Sequence, residues 1–365
     1  MKKCLVFGIS SQLGGVESFL FNYIRFMKKE NNLIEFEYVV IDKVPDFFYL
    51  FEPEAKVHVV PNRIKNPVKY IQRLKQILCE KKYDIVWYNV CTLSDITLLK
   101  LAKKYNISCR IVHSHNNENM GGTIVGFLHK WQKMQIQNYA TEFFACSKEA
   151  GDFMFAPNIK DERIKIVKNA IEVEKYTYNS ETRRVKRMEL GISDEMLIGH
   201  VGRLHFQKNH TFLIKIFEKI VSLKCNTKLL LIGEGGLKPE IIKMAETLGV
   251  REKIIFLEKR MDINELLQAM DVFLFPSVFE GLGIALIEAQ AADLPCVISD
   301  VIPKEAHITN KVYTLSLKDS PKRWAEKVIN EAENDIRRSQ IEKFREKGYD
   351  ISYNAEELVK YLYER

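Results

Sequence analysis

The sequence lacks most markers of a secreted, metal-bound or membrane-spanning chain. It has seven cysteines, an odd number, and no CxxC pair. Cys4, Cys79, Cys91, Cys109, Cys146, Cys225 and Cys296 sit mostly in apolar runs. They read as small core residues kept reduced, which argues against a disulfide framework and a zinc site. No stretch offers the roughly 20 apolar residues that a spanning helix needs. The start, MKKCLVFGIS, has the charge of a signal peptide, but its short apolar run leads into SSQLGGVE without a small-residue cleavage site. It is read as a first buried strand, and a cytoplasmic location is expected. No GxGxxG follows either first strand, which disfavours a dinucleotide oxidoreductase. Tandem repeats, low-complexity runs and a DxD-type metal cluster are also missing.

What is present is an ordinary globular composition, 46% hydrophobic and 28% charged, over 365 residues. At roughly 100–200 residues per domain, that length suits two domains. The net charge of +7 is uneven. Residues 1–170 hold 25 Lys and Arg against 17 Asp and Glu, and the remainder holds 30 against 31. A basic first half suits an anionic surface, either membrane or nucleic acid, or it is a solvated lysine-rich face.

Short apolar runs alternate with helical periodicity, the pattern of parallel α/β sheets. The first half gives strands at CLVFGI, FEYVVI, VHVV, DIVWYN, CRIVH, EFFAC and IKIV. A second series begins with MLIGHVG and continues through KLLLIG, KIIFL, DVFLF, PCVIS and KVYTL. Two such series predict two doubly wound domains, with ligand crevices at the carboxyl ends of their strands. The expected division is a first domain over 1–170, a polar linker over 171–195, a second domain over 196–345 and a helical tail over 346–365 that packs back on the first.

The segment FPSVFEGLGIALIEAQAADLPCVISD, residues 275–300, carries the strongest signal. A strand ends at Phe275, a loop of Glu280, Gly281, Leu282 and Gly283 follows, and a helix opens near Ile284. Glycines admit a ligand close to the backbone, and helix-start amides favour phosphate. Glu288, eight residues after Glu280, is a carboxylate suited to a sugar diol. A lone glutamate there would simply cap the helix. Further along the crevice, VGRLHFQKN places Arg203 and Lys208 after the first strand of the second series, and LLIGEGG contains Gly233. In the first half, Gly14 and Gly15 open a helix, and CRIVHSHNNEN ends a strand in His113, His115 and Asn116. That pair is open to three readings: metal ligands, structural imidazoles or sugar contacts.

The string from Glu280 to Glu288 resembles the E-x7-E signature of retaining GT-B glycosyltransferases of the family 4 type, among them capsule and exopolysaccharide enzymes. The likeness extends over nearly the whole chain, including NAIEVEKY at 169–176. It implies a GT-B fold, two Rossmann-like domains facing a central crevice, and transfer of a sugar from a nucleoside diphosphate, expected to be UDP, to a hydroxyl of a lipid-linked glycan. It implies retention at the anomeric carbon, no cofactor and no metal. By the same likeness Glu280 and His113 meet the transferred sugar, and Arg203 and Lys208 neutralise the diphosphate. The loop Gly281, Leu282, Gly283 and Ile284, with Gly14, Gly15 and Gly233, contacts sugar and phosphate, and Glu288 holds the ribose. Arg260 and Met261 lie beside the nucleobase, and His115 and Asn116 line the acceptor side. Two departures stand out: Glu258 and Asp293, each where the family has glycine. The alternatives are a nucleotide-sugar epimerase of the same fold and a silent sugar-nucleotide-binding module. An anionic membrane surface is the expected partner, drawn by the lysines of VKYIQRLKQILCEKK, whose Val68, Ile71, Leu74, Ile77 and Leu78 share one helical face.

Overall fold

The computed structural model describes the chain except residues 13, 31–32, 52, 117–121 and 334–335, and the side chains of 30, 50 and 51. The described residues form two compact units, residues 1–170 with 351–365, and residues 171–350. Each is a parallel sheet covered on both faces, as a sheet of continuous apolar strands requires.

The first unit has seven strands: β1 Lys2–Ile9, β2 Ile34–Ile41, β3 Lys56–Val60, β4 Ile85–Val90, β5 Cys109–Ser114, β6 Glu142–Ala145 and β7 Ile164–Ile166. They are ordered β3-β2-β1-β4-β5-β6-β7. One face is covered by the helix Gly15–Glu30 and the chain's last helix, Ile351–Glu364. In that last helix Ile351, Ala355, Leu358, Val359 and Leu362 repeat at helical spacing and are all buried. The Tyr23 hydroxyl donates to the Lys168 carbonyl at 2.7 Å and accepts from Asn354 at 3.3 Å, fixing the returning helix. On the other face Tyr70, Leu74, Ile77 and Leu78 of the helix Pro67–Glu80 are buried. Val68 and Ile71 are left exposed, so the apolar face expected here mostly packs on the sheet.

The second unit has six strands: β8 Met196–Val201, β9 Thr227–Ile232, β10 Ile254–Leu257, β11 Val272–Phe275, β12 Cys296–Ser299 and β13 Val312–Leu315. Their order is β10-β9-β8-β11-β12-β13. The direction of winding reverses between β8 and β11, as it does between β1 and β4 in the first unit. Such switch points leave a gap between loops at the carboxyl edge, where ligands of open α/β sheets bind.

The structure revises the division expected along the chain. Residues 171–195 lie inside the second unit. They carry the helices Val173–Tyr176 and Ser180–Glu189. The charges that suggested a solvated linker serve the interior. Arg183 donates to the carbonyls of Gln268, Ala269 and Met270, at the end of the helix Ile263–Ala269, and pairs with Asp271. Those carbonyls are ones the helix leaves unbonded. Residues 346–350 also belong to the second unit, where Tyr349 is buried and bonds the Glu305 carbonyl at 3.0 Å.

Asp293 explains one departure from glycine. Its φ is +54°, a conformation in which glycine is unstrained. The buried carboxylate accepts from the Arg338 amide at 2.6 Å, Lys311 Nζ at 2.8 Å and Gln340 Nε2 at 2.9 Å. Glycine would relieve about 1–2 kcal/mol of backbone strain, whereas hydrogen bonds to a charged group contribute about 1.5–3 kcal/mol each. Asp293→Gly is therefore expected to destabilise the protein by about 2.5 kcal/mol or more, read as a lower urea midpoint. A raised midpoint would mean that strain outweighs the three bonds.

Candidate functional site

At the switch point of the second unit, the loops after β8 and β11 are joined by one ion pair. Lys208 Nζ lies 2.6 Å from Glu280 Oε1, with side-chain exposures of 14% and 6%. Lys208 also lies over the Phe275 ring, 4.5 Å from its centroid. An ammonium group has three donors, so one remains for a ligand oxygen. The lysine stem crosses Gly202, where an added Cβ would come 2.8 Å from Lys208 Cε. Asn209, at φ +54°, turns the chain into the helix His210–Leu223 and donates to the Pro276 carbonyl at 3.1 Å. The Val278 amide donates to the Gln207 carbonyl at 2.8 Å, and Gln207 Nε2 to the Phe279 carbonyl at 3.0 Å. The two loops are thus held as one surface.

Gly233 supports that surface from behind. At φ +145°, an added Cβ would lie 2.1 Å from the Gly202 carbonyl. Its glycine requirement is met inside the protein, as close packing of the loops after β8 and β9. Arg203 points outward, exposed, with no carboxylate partner among the described residues. Arg203 and Lys208 thus differ: one is an open fork, the other is already neutralised by Glu280.

Gly283, at φ +73°, precedes the helix Ile284–Ala291, and no side chain caps that helix. Its first amides are available to an anion, reinforced by the helix dipole. Gly281 has open space where a Cβ would stand. Leu282 is half-buried against the apolar core, anchoring the loop between them. Glu288, in the second turn, accepts from the Tyr176 hydroxyl at 2.8 Å. Burial pushes the Glu288 carboxyl up to about 7, against the opposing pull of that hydrogen bond. An acid poised there ionises on meeting a pair of hydroxyl donors. Arg260 is committed elsewhere: its guanidinium forks onto Asp262 at 2.8 and 2.7 Å. Met261 beside it is 89% exposed. Glu258, the other departure from glycine, is exposed and pairs with Lys238 at 3.5 Å.

In the first unit, Glu17 shapes the glycine loop. Its carboxylate accepts from the Ser10 amide at 2.7 Å and the Gly14 amide at 2.9 Å, a capping arrangement for the helix beginning at Gly15. The Gly14 amide is therefore occupied, while Gly15 has open space at its Cβ position.

The expectation for His113 needs correction. His113 is fully buried, ringed by Phe19, Trp87 and Phe144. Its Nδ1 accepts from the Trp87 indole at 3.3 Å, and burial holds it neutral, well below the usual imidazole range. That ring has no surface to offer a sugar. His115, one residue past the end of β5, is partly exposed and bonds Asn89 Oδ1 through Nε2 at 2.9 Å. Burial lowers it to about 3, so it too is neutral. Asn116 follows it, half-exposed, its carbonyl accepting from Ser114 at 3.3 Å. Residues 117–119 of the same motif lie outside the described residues.

Sequence reasoning missed Tyr176, Gln207, Asn209 and Asn89. Tyr176 is 112 residues from Glu288, and no local pattern links them. Asn209 carried a usable signal, since asparagine is among the few residues that tolerate its backbone conformation.

Comparison with known proteins bears on the fold. Residues 182–349 match the family model for glycosyl transferases group 1. EpsF of Bacillus subtilis (strain 168), a protein named as a glycosyltransferase, is 28% identical over 361 residues, covering 95% of this chain and 92% of EpsF. The Escherichia coli UDP-Gal:alpha-D-GlcNAc-diphosphoundecaprenol alpha-1,3-galactosyltransferase is 25% identical over 272 residues, 71% of this chain and 70% of that enzyme. Among solved structures, Anabaena Alr3699/HepE in complex with UDP superposes with a TM-score of 0.73 at 17% identity, covering 100% of this chain and 96% of the other. The chain therefore has the fold of the GT-B glycosyltransferases, and its residues 182–349 are similar to the group 1 glycosyl transferases.

Proposed function

We propose that the protein transfers a sugar from a nucleoside diphosphate, UDP by preference, to a hydroxyl of a lipid-linked glycan at an anionic membrane surface, with retention at the anomeric carbon. The observation that carries this reading is the Lys208–Glu280 pair beside an uncapped helix start at the β8/β11 switch point. It supplies a cation, a carboxylate and free amides where a diphosphate and its sugar would meet. UDP as the donor nucleotide draws support from the E. coli relative, whose name specifies UDP-Gal. The lipid-linked acceptor draws support from the diphosphoundecaprenol in that same name. Peripheral membrane association draws support from the lysine excess of residues 1–170. No helix among the described residues is long and apolar enough to cross a membrane.

In this mechanism the chain supplies position and charge. Arg203 and the free donor of Lys208 take the phosphate oxygens, as a fork and a point charge respectively. The amides after Gly283 meet the departing diphosphate. Glu280, held by Lys208, accepts hydroxyl hydrogens of the transferred sugar. Glu288, oriented by Tyr176, accepts those of the ribose. His115, one residue past the end of β5 in the first unit, is given to the acceptor side by the family likeness. The leaving diphosphate takes the acceptor proton, so no protein base is required. The cations and amides serve where other transferases use a divalent metal.

The first experiment is a screen of nucleotide-sugar hydrolysis, by the protein alone, across UDP-, GDP- and ADP-sugars. Release of nucleoside diphosphate supports transfer, while epimerised sugar nucleotide without release favours the epimerase. With the donor in hand, Glu288→Gln is expected to weaken donor affinity and Glu280→Gln to lower turnover, each by roughly tenfold to a hundredfold. The effects have a pH signature. Ribose hydroxyls favour the ionised form of Glu288, so donor affinity should rise as pH rises through about 7 and level off above it. Glu288→Gln should abolish the slope. Unchanged kinetics in both variants would remove the acidic pair from the site.

Metal removal is the second check. Activity is expected to survive EDTA, because Arg203, Lys208 and backbone amides already face the phosphate charge. Complete loss, restored by Mn²⁺ or Mg²⁺, would contradict the mechanism.

A further inference from the structure

The helix Thr123–Gln135 of the first unit is built inside out. Its buried residues are polar, His129 and Gln132. His129 Nδ1 accepts from the Leu93 amide at 3.1 Å, and its ring stacks on Phe153 at 4.7 Å. Lys133 donates to the carbonyls of Asp152 and Phe153, the former at 3.1 Å. The inner side is thus docked by hydrogen bonds. The outer side carries Ile124, Phe127, Trp131 and Met134, which are 78%, 72%, 46% and 58% exposed. Their spacing of three, four and three residues sets them in one stripe along the helix. A soluble helix puts such a stripe against its own core, and this one does the reverse.

The stripe's own helix and the adjacent one carry charge of one sign. From Gly122 to Thr141 the sequence contains no aspartate or glutamate, and it contains Lys130 and Lys133. The adjacent helix Thr97–Lys104 adds Lys100, Lys103 and Lys104, also without an acid. Lys100 Nζ lies over the Trp131 ring at 5.7 Å and over Tyr139 at 5.4 Å, and Lys103 lies over Tyr139 at 5.6 Å. Ammonium groups therefore border the apolar stripe. A second copy of the same surface would set lysine against lysine. An anionic bilayer complements both features, apolar side chains entering the interfacial layer and lysines meeting headgroups.

We propose that the stripe Ile124, Phe127, Trp131 and Met134 is the membrane-docking surface, inserted into an anionic lipid interface with Lys100, Lys103 and Lys130 on the headgroups. This rests on the membrane association proposed above and moves its seat from the helix Pro67–Glu80, whose apolar face mostly packs on the sheet. The helix follows β5, so its first turns lie toward the carboxyl edge that carries His115. A lipid-anchored acceptor held at this surface would be presented on the same side as that edge.

The three tryptophans make the test direct. Trp87 and Trp324 are fully buried, so a change in emission on lipid binding reports Trp131. The full chain is mixed with vesicles of phosphatidylcholine, or of phosphatidylcholine with phosphatidylglycerol, at low and high salt. The expected result is a blue shift with the anionic vesicles only, weakened by salt and absent in Trp131→Phe. In cosedimentation, Ile124→Gln with Phe127→Gln should lower partitioning by about tenfold or more, with thermal midpoint and UDP affinity unchanged. If the unaltered chain fails to bind anionic vesicles at low salt, this proposal and the membrane reading fall together. If it binds but the variants bind equally and Trp131 emission does not move, the surface is elsewhere and only this proposal falls. A dimer in sedimentation that Phe127→Gln dissociates, without vesicle binding, would assign the stripe to a second copy and overturn it.

Discussion

The second unit is organised around one half-hidden ion pair. Lys208 and Glu280 come from loops 72 residues apart and meet at 2.6 Å where the sheet changes its direction of winding. Withdrawing either charge from water without the other would be strongly unfavourable, so each loop fixes the other. The neighbouring backbone follows from this. Gly202 lacks a Cβ because the lysine stem occupies that space, and Gly233 lacks one because the Gly202 carbonyl does. Asn209 takes a left-handed turn so that the chain enters the helix at His210, two residues after the lysine. The pair also keeps the site near neutral before a ligand arrives. Arg203 is left as an exposed cation, and Lys208 keeps a donor that Glu280 does not use.

A related economy governs the carboxylates. Glu17 is spent on two loop amides of the first unit and stays buried. Among the described residues Glu288 has a single phenol partner, and burial lifts its carboxyl to about 7. The first is satisfied and holds a shape. The second is under-bonded, and further hydroxyl donors would stabilise its charged form. Partner count therefore separates a structural carboxylate from a receptive one in the same fold.

Much of this was legible in the sequence, for reasons that differ by element. All thirteen strands named from apolar runs appear, because a strand buried on both faces leaves a continuous apolar signature. The segment from Glu280 to Glu288 was readable because glycine, carboxylate and helix start follow one another locally. The histidines were not. Residues 113 and 115 point to the same side of a strand, and Phe19, from a helix nearly a hundred positions earlier, sits against both rings. Their difference lies in position along the sheet edge, which β5 sets by ending at Ser114. The charges of 171–195 suggested a linker because sequence does not reveal that Arg183 faces helix-end carbonyls. The inverted helix 123–135 was equally hidden, since an apolar stripe reads the same whether it faces inward or outward.

In the proposed mechanism Lys208 serves the donor diphosphate while holding Glu280. Calorimetry of UDP and uridine binding, with the unaltered chain and Lys208→Ala, decides whether it does. A loss of roughly tenfold or more is expected for UDP, with uridine affinity nearly unchanged, because only UDP places phosphate at that position. Equal losses for both ligands would show that Lys208 only shapes the loops, and no loss for either would move the phosphate site away from the β8/β11 switch point.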